Sequence, residues 1–270
     1  ISNAAFQGTE PMPNFAANVS HLFTDVPFLQ RFQAAADCGF RGVECLFPYA
    51  EPAEVVGDAV AMAGVKMALF NAPPGDFAAG ERGIAALPGR QQEFRDSFEV
   101  AMNYAELLDC QNIHVMAGVV SEDAWDDALE VYFANLAVAS DLAAEEDITV
   151  LIEPIVMDGY LLTRPDDAVQ TVTEVGAKNV RILYDIYQAQ LGQGAITDFL
   201  DTHLDMVDHI QIAGVPGRNE PDRQGELNWP YIFDLLDAHG YDGWVGCEYV
   251  PRGDTCEGLG WAKDWGIGAG

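Results

Sequence analysis

Eight short apolar runs, rich in β-branched residues, recur along the chain about every 30 residues, most of them separated by helix-like stretches. They cover residues 15–20, 42–47, 66–71, 112–118, 149–154, 180–186, 207–214 and 243–249. Between them, residues 27–37, 91–109, 123–145, 165–175 and 231–239 read as amphipathic helices. Pro27 and Pro165 suit first-turn positions, and Asp25 and Thr163 are capping candidates. Gly39 and Gly240 stand where helices would end. A doubly wound sheet shares this alternation, but eight repeats within 270 residues favour a closed α/β architecture, a single (β/α)8 or TIM barrel. No GxGxxG follows the first run, which weakens a dinucleotide-binding alternative. Residues 1–13 read as a tail without a secretory pattern, and residues 14–270 as the barrel domain. The long segment 73–88, rich in Gly, Ala and Pro, is a candidate lid.

Charge narrows the partners. With 13 Lys+Arg against 43 Asp+Glu the formal net charge is −30, a field that repels polyanions, so nucleic acid is not expected to bind. The acids are spread over helices, as at Glu122-Asp123 and Glu145-Glu146-Asp147, and read as a solvated acidic surface. No apolar run reaches the roughly 20 residues of a bilayer span, so no membrane partner is expected either. Five cysteines without a CxxC pair argue against a disulfide framework or zinc knuckle; reduced thiols and a cytoplasmic setting are the expectation. A homo-oligomer is left open.

In a (β/α)8 barrel the chemistry gathers at the C-terminal ends of the strands. Runs five to eight deliver Glu153, Asp185, Gln211 and Glu248 to that mouth. Three carboxylates in an apolar setting are costly to bury, and one divalent cation is the simplest compensation. An all-oxygen set suits Mg2+ or Mn2+ better than zinc. Glu153 and Glu248 are then the natural acid/base pair for isomerising a small hydroxy-carbonyl compound, one taking a proton beside the carbonyl and the other returning one at the neighbouring carbon.

The strings Phe40-Arg41-Gly42-Val43-Glu44, Leu46-Phe47-Pro48-Tyr49, Ile152-Glu153-Pro154-Ile155, Gln211-Ile212-Ala213-Gly214-Val215-Pro216-Gly217-Arg218 and Tyr241-Asp242-Gly243-Trp244-Val245-Gly246-Cys247-Glu248-Tyr249 closely resemble hydroxypyruvate isomerases, within the wider xylose isomerase-like barrels. The likeness runs from about Asn14 to Trp261. It implies interconversion of hydroxypyruvate and tartronate semialdehyde, with Glu153 and Glu248 as acid and base about a metal and Asp185 and Gln211 as further ligands. The related 2-oxo-tetronate isomerases share much of this pattern. One position departs from it: Gln188 stands where a His is usual, and it can donate a hydrogen bond but cannot carry charge or shuttle a proton near neutral pH.

Other residues are weaker candidates. Glu44, Asn71 and His114 lie at or near strand ends and are expected to line the substrate pocket, each against the alternative of a structural role. Arg218, in a Gly/Pro loop after the seventh run, is the favoured grip for a substrate carboxylate, ahead of Arg252. His209, two residues before Gln211, should share its face but lie deeper, as core support. Four other functions compete. A ketose 3-epimerase would usually place His where Gln211 stands, and an endonuclease IV-like metal nuclease needs many His and a basic face, against five His and −30 here. A 2-oxo-tetronate isomerase differs only in substrate, and a non-catalytic ligand-binding barrel would show binding without turnover.

Overall fold

The computed structural model describes residues 13–268, so the tail expected at residues 1–13 lies, apart from Pro13, outside the described residues. Eight parallel strands close in sequence order into one barrel: β1 (Asn14–Asn18), β2 (Gly42–Cys45), β3 (Lys66–Asn71), β4 (Asn112–His114), β5 (Thr149–Ile152), β6 (Val180–Asp185), β7 (Val207–Ile212) and β8 (Trp244–Cys247). The β1–β8 pair completes the ring, with Ala16 opposite Gly246 and Ala17 opposite Cys247. The expected fold class is the observed one.

The outer helices are α1 (Phe28–Asp37), α2 (Ala53–Ala63), α3 (Gln91–Leu108), α4 (Trp125–Ala144), α5 (Pro165–Val175), α6 (Ile186–Gly192), α7 (Ile196–His203), α8 (Trp229–Ala238) and the single turn α9 (Thr255–Gly258). Asp25 and Thr163 do not cap. The positions before α1 and α5 are Pro27 and Arg164, neither with a side-chain cap, while Pro165 opens α5 as expected. Gly39 and Gly240 have φ of +94° and +69°, left-handed conformations open to glycine at helix ends. α2 was not singled out in the sequence. Its Gly57 explains how it packs: a Cβ there would lie 2.7 Å from the Leu107 carbonyl, so the missing side chain lets α2 press against the end of α3.

Several strands end earlier than their apolar runs. β4 stops at His114, although Val115 still donates to the Leu151 carbonyl at 2.8 Å and Ala117 bridges to Gly83. These runs therefore continue as buried loop, which brings their polar residues to the rim. The segment 73–88 is pinned rather than free: Ile84, Ala85 and Ala86 are buried, and Arg90 pairs with Glu81. Residues 76–80 form its longest exposed stretch, with Phe77 against Phe47 at a ring separation of 5.0 Å.

Inside the barrel the lining divides. Leu69, Leu151 and Leu183 form a small apolar cluster, while Asn18, Glu44, His209 and Gln211, from β1, β2 and β7, are buried and polar. Outside it, Phe15 packs edge-on against Phe233, Trp261 and Trp265, so the residues after α9 cover the first strand. Burial of such aromatic side chains contributes about 1.5–3 kcal/mol each.

One expectation is corrected. Cys38, at the end of α1, and Cys256, in α9, form a disulfide across 218 residues of sequence, while Cys45, Cys110 and Cys247 are free and buried. Spacing rules detect pairs that are close in sequence; this pair is brought together by barrel closure. The reduced-thiol expectation therefore holds for three of the five cysteines.

Candidate active site

Each candidate ligand stands where a strand gives out. Glu153 follows the last residue of β5, Asp185 ends β6, Gln211 is the penultimate residue of β7, and Glu248 follows β8. Oxygens of Glu153, Asp185 and Glu248 lie within 4.8 Å of one another, and all three residues are buried. β7 runs between β6 and β8 with Gln211 opposite both Asp185 and Gly246, so its side chain leaves the barrel wall on the same face as that of Asp185.

The surrounding contacts set the orientation of each group. Asp185 Oδ1 accepts the Tyr187 N–H at 2.8 Å, capping α6, and its Oδ2 lies 3.3 Å from Arg218 Nη2. The same Nη2 donates to Glu248 Oε2 at 2.9 Å. Arg218 has φ +52°, a left-handed conformation unusual outside glycine, and its carbonyl accepts the Val250 N–H at 2.7 Å. Its guanidinium lies 5.0 Å from the centre of the Tyr187 ring. The other oxygen of Glu248 is 3.4 Å from His21 Nε2.

These neighbours push the acids apart. Burial raises Glu153 well above the usual carboxylate range, and the charges of Glu248 and Asp185 add to it. Burial raises Asp185 to about 7, against the pull of Arg218. Burial would raise Glu248 too, but Arg218, His21 and His114 together outweigh it and hold the group at about 2. The surroundings thus drive the two glutamates in opposite directions, the kind of division an acid/base pair needs.

The remaining candidates fall into three groups. His114 and Asn71 are at the site: His114 Nδ1 lies 3.7 Å from Glu153 Oε2 and 3.2 Å from Asn71 Oδ1, and burial lowers its pKa to about 4. Gln188 is buried in α6, three residues after Asp185, its Oε1 accepting the Val156 N–H at 3.0 Å, which turns its NH2 end away from Val156. Glu44 is not at the open rim. It is wholly buried inside the barrel, bound to Asn18, His209 and Gln211. The inside placement of His209 agrees with the sequence. Arg252 is outside the site, paired with Asp222 and Glu220. His21 was missed, and so was Tyr187. The signal for His21 was available, since it stands three residues beyond β1, where the rule that pointed to the four strand-end residues also applies.

Does the set fit a divalent cation? Its donors are three carboxylates and one amide oxygen, the chemistry of Mg2+ or Mn2+. Gln211 Oε1 is buried and has no hydrogen-bond partner among the described residues, because its Nε2 is the end bound to Glu44. A buried carbonyl without a donor is an oxygen available to a cation. The residues fit the ion.

Comparison with known proteins agrees with this architecture. The chain is 49% identical over 259 residues to a 2-oxo-tetronate isomerase of Cupriavidus necator, covering 94% of this chain and 99% of that protein. It is 41% identical over 254 residues to a hydroxypyruvate isomerase of Escherichia coli, covering 93% and 98%. A crystal structure from Brucella melitensis, described as an AP endonuclease, family 2, superposes with a TM-score of 0.92 at 46% identity, over 94% of this chain and 99% of that one. The profile of the xylose isomerase-like TIM barrel matches residues 32–265. With the eight-stranded ring and near-complete coverage in each case, the chain belongs to the xylose isomerase-like TIM barrel family.

Proposed function

We propose that this protein is a divalent-metal-dependent isomerase that moves a carbonyl between neighbouring carbons of a small hydroxy-carbonyl acid. The observation that carries the proposal is the ring of Glu153, Asp185 and Glu248 within 4.8 Å, with the buried, unpartnered Gln211 oxygen on the strand between Asp185 and Glu248 as the fourth donor we assign to it. Glu153, Asp185, Gln211 and Glu248 would hold one Mg2+ or Mn2+. Such an ion would supply Lewis-acid polarisation of the substrate's adjacent oxygens.

The protein's own groups supply the rest. Glu248 is suited to take the proton from the hydroxyl-bearing carbon beside the carbonyl and Glu153 to return one at the carbonyl carbon, while the hydroxyl proton passes to the former carbonyl oxygen. Reversal of the reaction exchanges the two roles. Arg218 is the cation at the rim for the substrate's carboxylate, with a planar fork that matches it. Asn71, His114 and the NH2 end of Gln188 are the neutral polar groups of the wall; His114, held far below its usual pKa, contributes hydrogen bonds without charge.

Two substrates fit this chemistry, hydroxypyruvate and a 2-oxo-tetronate. The identity of 49% with the Cupriavidus necator protein, against 41% with the Escherichia coli one, favours testing the four-carbon acid beside the three-carbon one. The nuclease described for the Brucella melitensis structure is not favoured: a net charge of −30 opposes DNA, and the ring holds carboxylates and one amide where a nuclease of that kind would need several His. The test is proton NMR in D2O with Mg2+ or Mn2+ and each acid. Metal-dependent product carrying deuterium at the exchanging carbon supports the proposal. Binding of either acid without turnover would leave a ligand-binding barrel instead.

A further inference from the structure

Glu44 touches none of the three clustered carboxylates, yet it is wholly buried in the barrel and makes three polar contacts. Its Oε1 accepts from Asn18 Nδ2 at 2.9 Å and from Gln211 Nε2 at 2.7 Å, and its Oε2 lies 2.6 Å from His209 Nε2. The network is fixed at its far end, because Asn18 Oδ1 accepts the Ser20 N–H at 3.1 Å, so Asn18 must offer its NH2 to Glu44. Room for the carboxylate comes from β8: any Cβ at Gly246 would collide with it. Four strands therefore collaborate to hold one buried acid beneath the candidate site.

The chemical consequence falls on Gln211. The two ends of an amide have nearly the same shape and opposite hydrogen-bonding character, so packing alone does not choose between them. A carboxylate does choose, because it accepts and does not donate. With Nε2 committed to Glu44, Oε1 is the end left over, and it is the one without a partner. A Gln at position 44 could offer either end, and Gln211 could then present NH2, which repels a cation.

We propose that Glu44 is a positioning residue that fixes the Gln211 carbonyl oxygen as a metal ligand, acting through Gln211 and not on the substrate. This rests on the cluster being a divalent-metal site. The test is a double-mutant cycle read by calorimetric titration with Mn2+ on wild type, Glu44→Gln, Gln211→Met and the double variant, with melting curves to confirm folding. Glu44→Gln should weaken Mn2+ binding by about 10–100-fold in the wild-type background, the usual cost of losing a group that orients a ligand. In the Gln211→Met background the same change should cost less than about twofold, since no ligand remains to orient. Equal loss in both backgrounds, or none in either, overturns the proposal. If wild type binds no Mn2+, the metal reading itself fails and this proposal falls with it. Glu44→Asp keeps the charge but withdraws it from Gln211, and it carries the same cycle should Glu44→Gln not fold.

Discussion

Glu153 and Glu248 are both buried and share the contacts of one small ring, but their surroundings drive them in opposite directions. Replacing either carboxyl by the amide of the same shape should therefore abolish turnover: Glu153→Gln and Glu248→Gln should each lower kcat by about 10²–10⁴-fold in a protein that still folds. Near-normal kcat in either would end the acid/base assignment. Arg218→Ala should raise KM for the carboxylate substrate by about tenfold or more, the scale of one lost charge-assisted hydrogen bond; an unchanged KM would move that role elsewhere. Asp185 gives a pH signature. Its folded pKa of about 7 lies above its unfolded value, so the folded state holds a proton that the unfolded chain has released, and its contribution to stability is lost as pH rises through about 7. Without metal, Asp185→Asn should thus gain on wild type in Tm as pH rises from about 4 to about 7 and hold that gain above it. With Mn2+ present that advantage should disappear. A pH-independent difference would show that Asp185 is not under this strain. The strand-end acids were legible in the sequence because a carboxylate closing an apolar run is conspicuous. Glu44 was legible only as a candidate, since its alternation puts it inside while its partners come from two other strands, β1 and β7.

Among the elements, the strands were overestimated in length and the helices underestimated in number. β4 keeps three residues of a seven-residue apolar run because, after Val115 makes a last bond to Leu151 of β5, the run meets loop residues such as Gly83. α2 is rich in small residues, so its hydrophobic periodicity is faint, and only its contact at Gly57 shows why small residues serve there. The link between α1 and α9 could not be read from spacing at all. It predicts that thiol titration of the denatured, unreduced chain finds three groups and not five. Cys38→Ser should lower unfolding stability by about 2–4 kcal/mol in urea, the usual range for a native disulfide. Five titratable thiols would remove the bond from the account.

Across the whole molecule, the acid excess has no role in the candidate site beyond the few groups described. A net charge of −30 makes the folded state repel itself, so added KCl should raise Tm by screening, most steeply at low ionic strength. A Tm unmoved by salt would mean the acids are already compensated locally. Among the described residues no helix is long and apolar enough to cross a membrane. The ring itself was the most legible feature of all, since a rhythm of eight strand-helix units is written over the full chain. The disulfide adds a property that rhythm alone does not give. Because it joins residue 38 to residue 256, a protease that cuts the exposed stretch at residues 76–80 would leave two fragments tethered as one covalent species. On a gel without reductant the nicked protein would not separate, and with reductant it would fall into two.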